Sequence, residues 1–397
     1  MKLSQKSISI SGSLTLAIDA KAKKMKAEGM DVIGFGAGEP GFETPQFIIE
    51  AAKEALDKGY TRYTPASGMM ELKEAICEKL QNDNNLKYTP SEIIVSNGAK
   101  HSLYNIFQAI LNPGDEVIIP TPYWVTYPEL VKMAGGTPIF LDTKEENGFK
   151  IDITELEQAV TEKTKALIIN SPGNPSGCVY SRKELEAIAD LAVKKEFFVI
   201  SDEIYEKLVY DGNEHISIAS LNSEIKNITL VVNGMSKAYA MTGWRIGYTA
   251  GNEEVIKVMS NIQSHATSNP NSIAQYASIA ALRGPQDIIY QMVSEFEKRR
   301  KYMIDRIRQI EGLSCNEPKG AFYLMLNIGN ALGRKYRNHT ITGSMDFAEQ
   351  LLDAYKVAVV PGLAFGADKY VRLSYATSIE NIEKGLDRIE SFMNELE

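Results

Sequence analysis

The stretch NGMSKAYAMTGWRIGY, from Asn233 to Tyr248, decides how the fold of this chain is interpreted. It follows the apolar run ITLVVN at 228–233 and is rich in glycine and other small residues. Lys237 stands in it between a serine and an alanine, and Arg245 stands between a tryptophan and an isoleucine. An apolar run that leads into small residues is typical of a buried strand followed by a tight turn. We therefore expect Lys237 and Arg245 to lie near the end of a strand, with neither side chain fully solvated.

Apolar runs of the same kind recur before this stretch, and helical patterns separate them. The other runs are EIIVS at 92–96, DEVIIP at 115–120, KALIIN at 165–170 and FFVIS at 197–201, and the helical patterns include 99–111 and 182–195. Continuously apolar strands that alternate with helices indicate a parallel sheet covered on both faces. The predicted fold class is α/β, with a large domain built on a mainly parallel central sheet between helices.

The C-terminal part of the chain has a different pattern. A long charged amphipathic segment at 295–313 precedes the strand-like runs GAFYLMLNI, VAVVPG and YVRLSYA, with a helical segment around 345–355. This order predicts a smaller α+β domain. We expect an N-terminal segment at 1–45 that packs with the small domain, a large domain at 46–288 and a small domain at 289–397.

Composition excludes several classes of function. The 397 residues are 44% hydrophobic and 24% charged, with a net charge of -8, and an acidic balance without a basic cluster argues against nucleic acid as a partner. No apolar run approaches the roughly 20 residues of a membrane helix, and we find no signal peptide, so we expect a cytoplasmic protein. The three cysteines are far apart, which is typical of reduced thiols. The four histidines lack ligand spacing, so no metal site is predicted.

The carboxyl ends of the strands supply the candidate site, because ligands of open α/β sheets bind there. The residues that follow the five runs are Asn97, Gly98 and Ala99; Tyr123 and Trp124; Asn174; Asp202 and Tyr205; and Gly234 and Lys237. Small residues before a helix expose free N–H groups at the positive end of the helix dipole, which suits a phosphate. Each residue taken alone has an ordinary role as a cap, a turn former or a packing group. Their convergence on one edge indicates a ligand site.

This set of groups meets the requirements of pyridoxal 5'-phosphate. The cofactor needs an amine for a Schiff base, here Lys237, and a carboxylate at its ring nitrogen, here Asp202. The other candidates are Tyr205 and Asn174 at the phenolic oxygen, Trp124 against the ring, and Arg245 with the Gly98 and Ala99 amides at the phosphate. Desolvation and the nearby Arg245 should lower the pKa of the Lys237 amine and keep it nucleophilic.

Seven motifs also resemble one known family, in its order and over nearly the whole chain. They are AGEPGFETP, YTPASGMMELKEAI, PYWVTYPE, NSPGNPSG, SDEIYE, GMSKAYAMTGWRIG and VRLSYATS. The chain resembles the class I/II pyridoxal-phosphate aminotransferases of fold type I. Within them it is most similar to the bacterial aspartate aminotransferase subgroup, which includes aspartate/prephenate aminotransferases.

The resemblance implies a role for each matching residue. Lys237 is the Schiff-base lysine and the base that moves the substrate α-proton, and Asp202 pairs with the pyridinium nitrogen. The remaining cofactor contacts are Tyr205 and Asn174 at the phenolic oxygen, Arg245 at the phosphate, and Gly98, Ala99, Lys100, Trp124 and Ser236 around the cofactor. Tyr63 reaches the phosphate in the partner subunit, which implies a homodimer. Many relatives carry serine where this chain has Gly234, so we expect one phosphate contact fewer.

The substrate residues follow in the same way. The resemblance implies that Arg372 binds the α-carboxylate of the substrate and that Gly38, Trp124 and Asn174 line the same pocket. Arg372 also alternates with Val371 and Leu373, so its side chain is expected on the opposite face of its strand. The family closes its small domain over the substrate, and the turn at 38–41 and the Arg372 strand are the elements expected to move.

The predicted activity is a ping-pong transfer of the amino group of L-aspartate to 2-oxoglutarate through a pyridoxamine intermediate. In the subgroup, a lysine at the position of Lys100 contacts the distal carboxylate, and Thr15 belongs to the segment that closes over the substrate. Alternatives are an aspartate or glutamate–prephenate aminotransferase, a broad or aromatic aminotransferase, and a C–S lyase of the same fold. A non-catalytic sensor is a further alternative, although the chain shows no DNA-binding extension.

Overall fold

A computed structural model of the chain describes residues 3–4, 8, 10, 12 and 14–397, with the backbone alone for residues 14–17 and 19. The strands are β1 (Ile33–Gly34), β2 (Ile93–Ser96), β3 (Glu116–Thr121), β4 (Thr137–Asp142), β5 (Thr164–Asn170), β6 (Phe198–Asp202), β7 (Thr229–Gly234), β8 (Gly247–Ala250), β9 (Ser314–Cys315), β10 (Tyr323–Asn327), β11 (Lys335–Tyr336), β12 (His339–Thr340), β13 (Val357–Ala358), β14 (Val360–Pro361) and β15 (Tyr370–Ser374). The helices are α1 (Leu14–Ala27), α2 (Gln46–Asp57), α3 (Met70–Asn84), α4 (Ala99–Ile110), α5 (Thr126–Met133), α6 (Ile153–Ala159), α7 (Arg182–Lys195), α8 (Ser223–Ile228), α9 (Glu253–Ala266), α10 (Ser272–Arg283), α11 (Asp287–Ile307), α12 (Ser344–Tyr355) and α13 (Ile379–Asn394). None of the helices among these residues is long and apolar enough to cross a membrane.

The central element is a seven-stranded sheet with the strand order β2-β8-β7-β6-β5-β3-β4. The pairs β3–β4, β3–β5, β5–β6 and β6–β7 are parallel, whereas β8 runs antiparallel to both β2 and β7. The prediction of an α/β fold on a mainly parallel sheet is therefore confirmed. The five predicted strands are β2, β3, β5, β6 and β7. Sequence reasoning missed β4, a largely exposed edge strand that contains a proline, and β8, whose sequence GYTA contains none of the Ile, Val or Leu residues of the predicted runs.

Helices cover both faces of this sheet, as continuously apolar strands require. Ile118 packs with α7 residues such as Ile188, whereas its neighbours Val117 and Ile119 pack with α4 residues such as Leu103. Successive side chains of a strand point to opposite faces, so one strand serves two layers. The sheet is thereby fixed between helices, and the ends of its strands are held in place.

A second sheet, of four antiparallel strands in the order β14-β15-β10-β9, lies in the C-terminal part of the chain. Its core contains Leu324, Val371 and Leu373 with residues of α11 and α13. Separately, β1 pairs in parallel with β13, so the N-terminal part hydrogen-bonds to the C-terminal part. The predicted division at 288–289 falls in the first turn of α11, and the domain boundaries stay a prediction.

Candidate active site

Lys237 lies in the loop after β7, with its amine surrounded by groups from both sheets. Nζ donates a hydrogen bond to the carbonyl oxygen of Gly38 at 2.5 Å. It also lies 5.7 Å from the ring centroid of Tyr205 and 5.8 Å from that of Phe322. Gly38, predicted as a substrate contact, is thus in direct contact with the predicted nucleophile.

The surroundings of Lys237 favour the neutral amine. Burial lowers its pKa from the ordinary value to about 8, and the positive charges of Arg372 and Arg245 act in the same direction. The carboxylates of Glu39 and Asp202 oppose the shift but do not cancel it. The expected lowering of this pKa is present, and burial contributes more to it than Arg245 does. A substantial fraction of the amine is therefore nucleophilic near neutral pH.

Asp202 ends β6 and is only 3% exposed. Its Oδ2 accepts a hydrogen bond from the hydroxyl of Tyr127 at 2.6 Å, and its Oδ1 accepts one from the backbone N–H of Ile204 at 3.3 Å. Burial raises its pKa to about 6, although the Tyr127 bond and the Lys237 charge lower it. A buried carboxylate of this kind pairs readily with a positively charged nitrogen.

Tyr205 and Asn174 come from different loops and extend the same site. The Tyr205 hydroxyl lies 3.2 Å from that of Tyr323, on β10. The Asn174 backbone N–H donates to Oδ1 of Asn170 at 2.7 Å, which fixes its loop. Its side-chain oxygen accepts a hydrogen bond from Arg372 Nη1 at 3.0 Å. Asn174 therefore joins the strand ends of the large sheet to the strand that carries Arg372.

Arg372 projects from β15 between two neighbouring strands and is 4% exposed. Its Nη2 donates to the carbonyl oxygen of Gly36 at 3.0 Å, and its guanidinium carbon lies 4.3 Å from the ring centroid of Tyr323. Its Nε is buried without a hydrogen-bond partner among the described residues. Burial lowers the pKa of the guanidinium. The group is therefore held by two neutral acceptors, the Asn174 amide oxygen and the Gly36 carbonyl, and has no carboxylate among its hydrogen-bond acceptors.

The turn between β2 and α4 forms the predicted phosphate cradle. Gly98 has φ 86°, and α4 begins at Ala99, whose N–H lies in the first helical turn and has no acceptor within the helix. Arg245 lies against this turn: its Nη2 donates to the carbonyl of Asn97 at 3.3 Å and its Nη1 to that of Thr242 at 2.8 Å. The positive φ of Gly98 favours glycine, and a Cβ there would displace the Arg245 guanidinium, which is the flexible end of its side chain.

Arg245 and Gly234 are the two residues near this cradle whose surroundings the sequence did not predict. The expectation that the Arg245 side chain is not fully solvated needs a correction, because the residue is exposed and lines two cavities that open outward. A Cβ at Gly234 would lie 2.8 Å from the carbonyl oxygen of Ile246 and 2.9 Å from the Cα of Gly247. Glycine at 234 thus allows β7 and β8 to approach closely.

Trp124 and Lys100 lie together at the rim. Lys100 Nζ is 5.0 Å above the Trp124 ring, and the lysine lines a cavity of about 960 Å³ with Arg245 and His101. Partial burial and the charge of Arg245 lower the pKa of Lys100. A cationic cavity beside an aromatic ring suits an acidic side chain. The side chain of Thr15, also predicted here, lies outside the described part of the structure.

The two remaining predicted residues, Ser236 and Tyr63, differ in their exposure to solvent. Ser236 is buried directly before Lys237. Tyr63 is 90% exposed, an unusual position for a large aromatic side chain in an isolated chain.

Sequence reasoning missed two residues that contact the predicted ones. Tyr127 donates to Asp202, and Tyr323 contacts both Tyr205 and Arg372. Tyr127 belongs to the quoted motif PYWVTYPE, but the residue that it contacts, Asp202, is 75 residues away, and no local spacing connects the two. For Tyr323, alternation along GAFYLMLNI gives no signal of its contacts either.

A second group of ionisable residues lies outside this site. Glu203, Glu206 and His215 place their ligand atoms within 4.8 Å of one another, although sequence spacing predicted no such meeting. Ser217 donates to Glu203 at 2.6 Å, and His215 Nε2 lies 3.0 Å from the same carboxylate. Burial would raise the pKa of Glu206, but the charges of Lys79, His215 and Lys207 and the Lys79 hydrogen bond together outweigh it and lower that pKa to about 2. We interpret the group as a hydrogen-bond and ion-pair network, in which His215 Nδ1 is buried without a partner among the described residues.

Comparisons with known proteins agree with this geometry. The family model "Aminotransferase class I and II" matches residues 30–389. The aspartate aminotransferase of Bacillus subtilis is 50% identical over 99% of both chains, and the aspartate/prephenate aminotransferase of Nitrosomonas europaea is 45% identical over 99% of this chain and all of its own. The crystal structure of the aspartate aminotransferase from Rhizobium meliloti superposes with a TM-score of 0.97 at 43% identity, with both chains fully covered.

The chain therefore belongs to the class I and II aminotransferases and is a transferase. Within that family it falls in the aspartate aminotransferase subgroup. Aminotransferases of this family use pyridoxal 5'-phosphate.

The described residues fit this cofactor. A lysine with a lowered pKa, a buried carboxylate with a fixed orientation and a glycine turn that admits an arginine guanidinium all face one region. They provide groups for an aldehyde, a ring nitrogen and a phosphate, respectively.

Proposed function

We propose that this chain transfers the amino group of L-aspartate to 2-oxoglutarate, giving oxaloacetate and L-glutamate. The observation that carries the proposal is the buried Arg372 guanidinium, which is held by the neutral oxygens of Asn174 and Gly36 and by no carboxylate among its hydrogen-bond acceptors. A guanidinium fork suits a carboxylate, and both the amino acid and the oxo acid carry one at the reacting end. The names of the relatives, aspartate aminotransferase among them, support the choice of donor.

Different residues bind the two carboxylates of the substrate in this proposal. Arg372 binds the α-carboxylate, and Asn174 orients the guanidinium through its 3.0 Å hydrogen bond. Gly38, with Trp124 nearby, lines the space in which the substrate lies. Lys100 contacts the distal carboxylate of aspartate, because its amine extends from the rim into a cavity that also contains Arg245. Thr15 remains a predicted substrate contact.

Around the cofactor, the proposed roles follow from the charges of the groups. Asp202 accepts a hydrogen bond from the ring nitrogen, and Tyr205 and Asn174 donate to the phenolic oxygen. Arg245 and the N–H groups at 98–100 bind the phosphate, with Ser236 nearby. When bound, pyridoxal 5'-phosphate supplies an electron sink for the negative charge that forms when the α-proton leaves.

Lys237 moves the proton in this proposal. Its neutral amine, with a pKa of about 8, removes the substrate α-proton and returns a proton to the neighbouring carbon. The amine already donates to the Gly38 carbonyl at 2.5 Å, so a rigid acceptor orients it when it is free. Closure of the C-terminal part over the substrate would exclude water from these groups.

We also propose that the active unit is a homodimer in which Tyr63 reaches the phosphate site of the partner subunit. The 90% exposure of Tyr63 supports this, as does the exposed Leu56 at the cavity that Arg245 lines. Light scattering should give the mass of a dimer, and Tyr63→Phe should weaken cofactor binding without changing that mass. A monomer with full activity would contradict the proposal. A cytoplasmic location stays a prediction.

The activity itself is tested by steady-state kinetics with aspartate and 2-oxoglutarate varied together. A ping-pong mechanism predicts parallel double-reciprocal lines and one oxaloacetate for each glutamate. Turnover of aspartate at less than about 1% of the kcat/KM for phenylalanine would instead indicate an aromatic aminotransferase. Release of pyruvate from cystathionine without any oxo acid would indicate a C–S lyase.

Prephenate is a second candidate acceptor, since relatives at 45–48% identity are named aspartate/prephenate aminotransferases. A larger acceptor would have to occupy the cavity beside Lys100 and Trp124. The same assay with prephenate in place of 2-oxoglutarate tests it. A kcat/KM within about tenfold of that for 2-oxoglutarate would support a double specificity, and no turnover would exclude it.

A further inference from the structure

Tyr127, to which sequence analysis assigns no role, donates a hydrogen bond to Asp202, the carboxylate that the cofactor requires. It lies in the first turn of α5 and is 2% exposed. Its hydroxyl donates to Asp202 Oδ2 at 2.6 Å, a length typical of a hydrogen bond to an ionised carboxylate. The Ile204 N–H holds the other oxygen, so two donors from different elements fix the plane of the carboxylate.

The same tyrosine also contacts the ring predicted to lie against the cofactor. The Tyr127 and Trp124 rings meet edge to face, with centroids 5.4 Å apart at 85°. The backbone N–H of Tyr127 donates to the Trp124 carbonyl at 3.0 Å, which fixes the turn between them. One side chain thus orients both the polar contact at the ring nitrogen and the flat contact at the ring face.

We propose that Tyr127 is a positioning residue for the cofactor ring, acting through Asp202 and Trp124. The proposal rests on the proposed function only in requiring that pyridoxal 5'-phosphate binds here. Without the hydroxyl, a buried carboxylate loses a donor and becomes more basic, so it competes with the ring nitrogen for their shared proton. The groups that face Asp202 are Tyr127 from α5, Glu203 and Tyr205 from the segment after β6, and Lys237.

The test uses the cofactor-loaded Tyr127→Phe variant, which keeps the packing of the ring in its core cluster. The matched control is Tyr210→Phe, because Tyr210 is equally buried at 2% but donates to the backbone carbonyl of Ala321. The first readout is the pH midpoint of the cofactor absorbance band, measured without any substrate. We expect it to rise by about 0.5 unit or more in Tyr127→Phe, because a less positive ring takes up a further proton more easily.

Two further readouts separate positioning from general stability. Cofactor affinity should fall about tenfold in Tyr127→Phe, and this loss should shrink below about twofold in an Asp202→Ala background, because the bond is already absent there. With aspartate, kcat should fall about tenfold while KM changes less than about threefold, because Arg372 is untouched.

A more acidic hydroxyl at position 127 is a stronger hydrogen-bond donor to Asp202, and it should shift the pH midpoint of the cofactor band in the direction opposite to Tyr127→Phe. Fluorotyrosine placed at 127 keeps the ring and the hydroxyl, so it does not depend on the folding of the phenylalanine variant, and it should lower the midpoint. An unchanged midpoint in either variant, or an affinity loss that is the same with and without Asp202, would overturn the proposal. If the wild-type protein binds the cofactor but does not react with aspartate, the proposed substrate is wrong and the role of Tyr127 stands.

Discussion

Two regions differ in the hydrogen-bond partners of their charged groups. One is the strand ends of the seven-stranded sheet, and the other is strand β15 of the four-stranded sheet. At the strand ends, Asp202 has a donor on each oxygen, and Lys237 donates to a carbonyl. On β15, Arg372 is equally buried, but its hydrogen-bond acceptors are neutral, the Asn174 amide oxygen and the Gly36 carbonyl. The difference fits a first region built around a group that stays bound. In the second region, a buried positive charge without a carboxylate among its acceptors suits a substrate carboxylate that enters and leaves.

The largest effect should come from the first region, because it carries the chemistry. Lys237→Ala should lower kcat by about 10⁴-fold, since it removes both the amine that attaches the cofactor and the base that moves the proton. Lys257→Ala, an exposed lysine on α9, is the control and should stay near wild type. Single-turnover kinetics with aspartate would measure the loss. A loss below about tenfold would remove Lys237 from the catalytic role.

Changes in the second region should affect the substrate and spare the cofactor. Arg372→Leu should lower kcat/KM for aspartate by about 10³-fold, because a carboxylate would lose a buried charged partner. Arg372→Lys keeps the charge without the fork and should lose less. Cofactor uptake should be unchanged in both variants. If uptake fell together with kcat/KM, the two regions would not be separable in this way.

A smaller effect is expected at the rim, where Lys100 is exposed to the cavity. Lys100→Ala should raise KM for aspartate about tenfold and KM for phenylalanine less than about twofold, because only aspartate has a distal carboxylate. Lys100→Arg is the matched control that retains the charge. Equal rises for both amino acids would assign Lys100 to the cofactor or to solvent.

The smallest expected effect is the change with pH in the rate at which the wild-type apoprotein takes up its cofactor. The neutral amine of Lys237 reacts with the aldehyde, and its pKa is lowered to about 8, so the fraction that is neutral grows as pH rises through that value. The rate of cofactor uptake by the apoprotein should therefore rise about fourfold between about pH 7.5 and 9.5 and then level off. Stopped-flow absorbance would measure it. A rate that climbs about tenfold per pH unit between about pH 7.5 and 9.5 would mean that this pKa is not lowered.

The strand ends could be predicted because strand period and turn residues are local signals. Residues 97–99, 174, 202 and 237 follow apolar runs and lie where an α/β sheet directs them. Arg372 was predictable from alternation along one strand. The missed strands β4 and β8 carry weak signals, because β4 is a mostly exposed edge and β8, with the sequence GYTA, contains no Ile, Val or Leu.

The tyrosine contacts could not be predicted in the same way. Tyr127 and Asp202 are separated by 75 residues, and Tyr205 and Tyr323 by 118. Such pairs form only when separate elements pack, and no spacing rule specifies them. The exposure of Arg245 was missed for a related reason. Flanking apolar residues indicate a buried backbone, but they do not show that the side chain faces a cavity.

The most direct test of the division between the two regions is a spectrum of the cofactor-loaded protein after addition of L-aspartate alone. The account predicts that the long-wavelength cofactor band disappears and that one oxaloacetate forms per active site, in the absence of any oxo acid. An unchanged band with no oxaloacetate, in protein that holds its cofactor, would contradict it. The site would then bind the cofactor as proposed but would not act on aspartate.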